Sequence, residues 1–286
     1  MSEQKEVKRI TTNTIQEMKQ KGEKIAMLTA YDAPFARLVD ESGVEMILVG
    51  DSLGMVMLGY NGTSPVTMDE MVHHAAAVGR TAKRCLIVGD MPFMAYQADT
   101  AEAIRNAGRL IKEAGVDCVK LEGTSKQAPI ARAIVDAGIA VIGHIGLTPQ
   151  TAASLGGINV IGGQNYATAK RIVDDALAME AAGCWCVLME AVPADLAAYI
   201  TKRLSVPTIG IGAGVGCDGQ VLVTHEMFGM FPGFGLPFGK RYAEAGDLIR
   251  GGMQQYHQDV LGGTFPEAAN SFPIDADMIR RLEAGE

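Results

Sequence analysis

The segment Cys118-Val119-Lys120-Leu121-Glu122-Gly123 puts an ammonium and a carboxylate into the end of an otherwise apolar run. Side chains two apart on a strand share a face, so Lys120 and Glu122 are expected to point one way and Val119 and Leu121 the other. Desolvating two charges costs about as much as their attraction returns. The pair therefore reads either as a structural bridge between layers of a core or as part of a reaction site. Four more apolar runs end in ionisable residues: Met46 to Gly50 leads into Asp51-Ser52, Leu86 to Gly89 into Asp90, Ala140 to Gly143 into His144, and Cys186 to Met189 into Glu190. Ionisable groups at the C-terminal ends of successive strands are where alternating strand and helix folds gather their chemistry. Glu190, directly after Leu188-Met189, is expected to be partly desolvated, which raises a carboxyl toward the range of a general base. Other readings are open for single residues. Asp51 and Asp90 could be turn or cap acids, Glu190 could cap a helix ahead of Pro193, and His144 could be a satisfied core histidine or could bind or support an oxygen ligand.

Regular elements must carry these residues. Thr14-Ile15-Gln16-Glu17 has the form of a capping box and Gly22 that of a stop, which predicts a short helix before the first strand, with Ile15 and Met18 closing the bottom of the core. Strands are expected at 25–30, 45–49, 84–89, 118–123, 140–144, 184–189, 207–211 and 221–223. Helices are expected at 34–41, from Thr67 to about 79 with Glu70 completing a capping box, after Asp99 to Ala114, at 128–137, 166–182, 193–204 and 242–260. His73 and His74 are adjacent on a helix and cannot readily share a metal, so a surface or packing role is expected. The glycine-rich connection 155–164 is long enough for a lid or binding loop, with disorder as the competing reading. Gly214-Val215-Gly216-Cys217-Asp218-Gly219 matches GxGxxG, but Gln220 to His225 resembles a strand rather than a helix, so a dinucleotide site is set aside. Eight strand and helix units with right-handed crossovers fit a closed (β/α)8 TIM barrel. An open doubly wound sheet shows the same alternation, but concentrates its site at one switch point rather than spreading acids over strands two, three, four and six. We expect one barrel domain over 1–286, its core at about 11–260 and a tail from 262.

The 286 residues, 48% of them hydrophobic, can bury a large core. A net charge of −8 without a basic block argues against nucleic acid and anionic membrane as partners. A polar start and no apolar run of spanning length predict a soluble, cytoplasmic protein acting on a small molecule. The five cysteines are odd in number and lack CxxC spacing, so they are expected as reduced core residues.

Five segments taken together resemble the ketopantoate hydroxymethyltransferase family: Val49 to Met55, Asp90-Met91-Pro92-Phe93-Met94-Ala95-Tyr96, Val119 to Gly123, Gly143-His144-Ile145-Gly146-Leu147-Thr148-Pro149-Gln150, and Gly210 to Gly214. The resemblance spans about residues 11–260, in order. It implies a (β/α)8 barrel, Mg²⁺, and transfer of a one-carbon unit from 5,10-methylenetetrahydrofolate to 3-methyl-2-oxobutanoate by a cytoplasmic homo-oligomer, a decamer. By motif, Asp51, Asp90 and Glu122 resemble the metal-site acids, and Ser52 and Lys120 the groups that hold the oxo acid with Asp51 and Asp90. Glu190 resembles the proton acceptor and His144 a site histidine. The Pro-Lys-Phe segment usual before the last helix is here Pro237-Phe238-Gly239-Lys240, shortened, which puts the folate side of the site in question. The rival reading is a magnesium-dependent carbon–carbon lyase or mutase acting on a 2-oxo acid. An oligomeric scaffold or metabolite sensor without catalysis is a third.

Overall fold

The computed structural model describes residues 8–157, 159–231 and 238–286. Its parallel strands close in the order β1 to β8, each hydrogen-bonded to the next and β8 back to β1. In chain order the elements are α1 (Thr12–Lys21), β1 (Ile25–Thr29), α2 (Ala33–Glu41), β2 (Met46–Val49), α3 (Leu53–Val56), α4 (Met68–Thr81), β3 (Leu86–Asp90), α5 (Thr100–Ala114), β4 (Cys118–Glu122), α6 (Ala128–Asp136) and β5 (Val141–Gly146). A 3₁₀ helix, Pro149–Leu155, comes next. Then come α7 (Tyr166–Ala181), β6 (Cys186–Glu190), α8 (Ala194–Arg203), β7 (Thr208–Ile211), β8 (Gly219–Leu222), α9 (Thr224–Met227), α10 (Ala245–Gly262) and α11 (Ala276–Ala284). The open doubly wound sheet is thereby excluded.

Alternation along each strand sorts the side chains into two cores. Met46 and Leu48, Leu86 and Val88, Cys118, Ile142, and Cys186 and Leu188 fill the barrel interior. Ile47, Ile87, Val119, Leu121, Val187 and Met189 pack outward beneath the helices. Burying each such aliphatic side chain contributes roughly 1.5–3 kcal/mol, which offsets the desolvation of a polar layer above them. That layer is the next step along the same inward face. Asp90 succeeds Val88, Lys120 and Glu122 succeed Cys118, His144 succeeds Ile142, and Glu190 succeeds Leu188. Register places these steps beside one another, with Asp90 opposite Lys120 and Glu122 opposite His144.

The first helix begins earlier than expected. Thr11, not Thr14, is its N-cap, because the Thr11 and Thr14 hydroxyls bond reciprocally to the backbone N–H groups of the turn. Ile15 is buried and packs with Met18 at the bottom of the interior core, as expected. The α4 box from Thr67 to Glu70 and the Asp99 cap of α5 form as read. Leu110 completes the buried face of α5 with Ala103, Ala107 and Ala114. Strand eight starts at Gly219, two residues before the expected run, because pairing with β1 (Ile25 opposite Gly219) sets its register. It is a strand, so the GxGxxG match opens no helix. The final long helix starts at Ala245 rather than Tyr242, and α3 and α9 are short helices in stretches read as loop or strand. The 155–164 loop is described except at Ile158; Ile161 is buried and its N–H donates to the Ala191 carbonyl at 2.9 Å. Of the 237–240 segment, Pro237 lies outside the described residues. Phe238 packs against both cores.

Gly146 ends β5 at φ 92°, where a Cβ would stand 2.4 Å from the Glu190 carbonyl oxygen. A left-handed residue costs roughly 1–2 kcal/mol and overpacking roughly 1–3 kcal/mol. Gly146→Ala is therefore expected to destabilise the fold by roughly 2–5 kcal/mol, seen as a lower urea midpoint. An unchanged midpoint would contradict the close approach of β5 and β6.

Candidate active site

Asp51, Ser52, Asp90, Lys120, Glu122, His144 and Glu190 all line one cavity at the C-terminal mouth of the barrel, which encloses about 770 Å³ counting its opening. The structure thus brings together every site residue expected from sequence. Its floor is apolar, formed by Leu48, Leu188, Ile211 and Val221. Asp51, Asp90, Lys120, Glu122, His144 and Glu190 are all at least nine-tenths buried.

Lys120 is the hub. Its Nζ lies 3.0 Å from Asp90 Oδ1 and 3.3 Å from His144 Nδ1. Burial opposes its charge, but Asp90, Glu122 and Asp51 outweigh that and hold its pKa above the usual value. The ammonium has only protons to offer, so Nδ1 of His144 accepts and the ring proton sits on Nε2. Nε2 lies 3.3 Å from Glu190 Oε2, without the alignment of a hydrogen bond. Burial first, and Lys120 second, push the His144 pKa well below 6.5, so the ring is neutral.

The carboxylates outnumber the cation. Burial, then the Asp90 charge, raises Asp51 to about 7, with Lys120 and a Gln150 hydrogen bond opposing. Burial, then Asp51, holds Glu122 well above the usual range. Burial raises Glu190 to about 7, against the pull of Lys120. Asp90 Oδ2 accepts from the Asp51 N–H at 3.1 Å. Ser52 Oγ is 2.8 Å from the Tyr31 hydroxyl. Neither Asp51 nor Glu190 is a helix cap, since α3 and α8 have no side-chain cap bond. The Glu190 backbone is fixed instead by the Leu147 N–H on its carbonyl, and by the adjoining Ala191 at φ 49°, a strained left-handed conformation.

Among the described residues, no three His, Cys, Asp or Glu side chains are already arranged to hold a metal by themselves. Magnesium does not require this: it is commonly bound by one or two carboxylates, with waters and substrate completing the shell. An excess of buried carboxylates, with Asp51, Glu122 and Glu190 all pushed toward neutrality chiefly by burial, is relieved by a divalent cation. The residues fit such an ion. The five cysteines are free and buried, as expected of reduced core residues.

Two residues of this site carried no expected role. Gln150 donates through Nε2 to Asp51 Oδ2 at 2.8 Å, and Tyr96 places its hydroxyl 2.8 Å from Gln150 Oε1. Both lie inside motifs quoted for the family resemblance, and nothing else in the sequence singles them out. His74, read as packing, has its Nδ1 2.7 Å from the Tyr31 carbonyl.

The profile of the family described as Ketopantoate hydroxymethyltransferase matches residues 9–268. The chain belongs to the ketopantoate hydroxymethyltransferase family. Relatives named 3-methyl-2-oxobutanoate hydroxymethyltransferase include one from Heliobacterium modesticaldum, 53% identical over 95% of this chain and 98% of its own. Another, from Syntrophus aciditrophicus, is 53% identical over 95% of this chain and 100% of its own. Among solved structures, a putative phosphonomutase from Burkholderia cenocepacia aligns with a TM-score of 0.64 at 14% identity, over 86% of this chain and 98% of its own. A 2,3-dimethylmalate lyase, a member of the PEP mutase/isocitrate lyase superfamily, aligns with a TM-score of 0.57 at 12% identity, over 96% and 98%. These share the barrel with this member of the family. Among the described residues no helix is long and apolar enough to cross a membrane.

Proposed function

We propose that the chain transfers a hydroxymethyl group from 5,10-methylenetetrahydrofolate to 3-methyl-2-oxobutanoate, giving 2-dehydropantoate and tetrahydrofolate. One observation carries the reading: Asp51, Asp90, Glu122 and Glu190 face one apolar-floored cavity in which Lys120 is the one ammonium among the described lining residues. Asp51, Asp90 and Glu122 hold Mg²⁺, and Asp51, Ser52, Asp90 and Lys120 hold the oxo acid. The bound ion supplies Lewis-acid polarisation of the keto group.

The remaining steps belong to the protein. The cavity floor takes the branched alkyl end, and Lys120 meets the negative charge that develops on the keto oxygen as the proton at C3 departs. Glu190, desolvated and raised to about 7, is matched to taking that proton near neutral pH. His144, kept neutral, accepts from Lys120 through Nδ1 and has its Nε2 3.3 Å from Glu190 Oε2. C3 then forms a bond to the methylene carbon as the first of its two carbon–nitrogen bonds to the folate breaks; water displaces the second nitrogen to supply the hydroxyl, and the C3 proton and one proton of that water end on the two folate nitrogens.

The test is product formation from the oxo acid with the folate and metal each present or withheld. Product only when both are present supports the proposal. Turnover of a 2-oxo acid without folate would replace it with the lyase or mutase reading, and oxo-acid binding without turnover would replace it with a sensor.

We further propose a cytoplasmic homo-oligomer, a decamer. The supporting observation is that α10 and α11 bury no residue and expose Leu248, Ile249, Met253, Tyr256, Met278 and Leu282. So much exposed apolar side chain on two unburied helices points to contact with another chain. Sedimentation is expected to return a mass ten times that of the chain; a monomer would contradict it.

A further inference from the structure

We infer that Gln150 is a positioning residue that fixes Asp51 and Glu122 in the orientation that receives the divalent cation, an inference that rests on the function proposed above. The residue is buried and all its polar groups are engaged. Nε2 donates to Asp51 Oδ2 at 2.8 Å and to the Met91 carbonyl at 2.9 Å. Oε1 accepts from the Tyr96 hydroxyl at 2.8 Å. The backbone N–H donates to Glu122 Oε2 at 3.0 Å, and the carbonyl accepts from Ser64 Oγ at 3.2 Å. Rotating the amide would turn its oxygen toward a carboxylate and a carbonyl, so the network permits one orientation.

The Tyr96 hydroxyl completes the brace. It accepts from the Glu122 N–H at 3.1 Å and stands 2.9 Å from the Glu122 carbonyl. One amide and one phenol thereby join the ends of β2, β3, β4 and β5. Each acid commits one oxygen to Gln150 and keeps the other. Two neighbouring carboxylates without such donors would turn apart or share a proton. Charge-assisted hydrogen bonds hold them in one geometry before any ion arrives.

The experiment measures Mn²⁺ binding to the purified full chain without substrate, by electron paramagnetic resonance of the free ion, alongside thermal unfolding and the metal dependence of turnover. Gln150→Met keeps the length and removes the side-chain hydrogen bonds, the one to Asp51 included, while the backbone bond to Glu122 stays. It is expected to weaken Mn²⁺ by about 10–100-fold, as loss of a partner that orients a metal ligand does, and to raise the metal requirement of turnover by the same factor. Wild-type Mn²⁺ affinity in a folded Gln150→Met protein overturns the inference. If that variant does not fold, Tyr96→Phe decides: it removes the hydroxyl that orients the amide, and about fivefold weaker Mn²⁺ is expected from loss of one hydrogen bond. Unchanged affinity there overturns the inference as well. Absence of Mn²⁺ binding to the wild-type protein would overturn the metal reading itself, an outcome distinct from equal binding by wild type and variant.

Discussion

Glu190→Gln is expected to bind oxo acid and metal as the wild type does, yet to lose exchange of the substrate C3 proton with solvent by about 10²–10⁴-fold, the usual contribution of a positioned base. The substitution keeps the shape of the side chain and its place after the apolar Leu188-Met189 pair, and removes only the basic oxygen. Burial raises this carboxyl to about 7 because charging it inside the barrel is costly, and Lys120 offsets only part of that cost. Wild-type exchange is therefore expected to rise with pH through about 7, as Glu190 loses its proton, and Glu190→Gln is expected to show no such rise. The stability linkage runs the other way. A carboxyl whose folded pKa lies above the unfolded value of 4.5 favours the folded state fully below 4.5, and that contribution is lost as pH climbs to about 7. The pH range that activates the base is thus the range in which this group ceases to stabilise the fold. Unimpaired proton exchange in Glu190→Gln would remove it as the base.

Asp90→Asn is expected to weaken metal and oxo-acid binding together and to destabilise the protein. Asp90 bridges Lys120 Nζ, 3.0 Å from Oδ1, and the Asp51 N–H, 3.1 Å from Oδ2. Both partners are donors, and an asparagine turned either way sets its NH₂ against one of them. Breaking a buried ion pair by removing one member typically costs about 3–5 kcal/mol, because the other charge is left uncompensated. Loss of a partner that merely orients a ligand costs about 10–100-fold in metal affinity, so loss of a ligand should cost on the order of 100-fold or more. Titrating metal and oxo acid separately checks this. A folded Asp90→Asn protein with an unchanged metal requirement would take Asp90 out of the metal shell.

Much of the site could be read from the chain because a strand has a period of two. Once Cys118 is inside a barrel, Lys120 and Glu122 must be as well, and the same arithmetic carries Val88 to Asp90, Ile142 to His144 and Leu188 to Glu190. The barrel supplies only the neighbours. Contacts made between distant loops could not be read. The Gln150 to Asp51 bond spans 99 residues, and no local pattern announces that an amide after β5 will meet a carboxylate after β2. The errors in element boundaries have similar causes. The sequence signature of a capping box favours a glutamate at its third position, which pointed to Thr14 and Glu17, whereas the Thr11 and Thr14 hydroxyls make the same reciprocal bonds. Gly219 and Gln220 have low strand propensity, and only pairing with Ile25 and Ala26 makes them the start of β8.

The three acids at positions 51, 90 and 122 are not preassembled as a closed metal cage, so where an ion sits is the sharpest question the site poses. Crystals of the full chain grown with Mn²⁺ and 3-methyl-2-oxobutanoate, measured at a wavelength that gives manganese anomalous signal, answer it. The account predicts one peak per subunit at the barrel mouth, within coordination distance of at least one of the Asp51, Asp90 and Glu122 carboxylates and of the bound oxo acid, with Lys120 on the same ligand. A peak elsewhere, or the oxo acid bound in the cavity with no ion beside it, would contradict it.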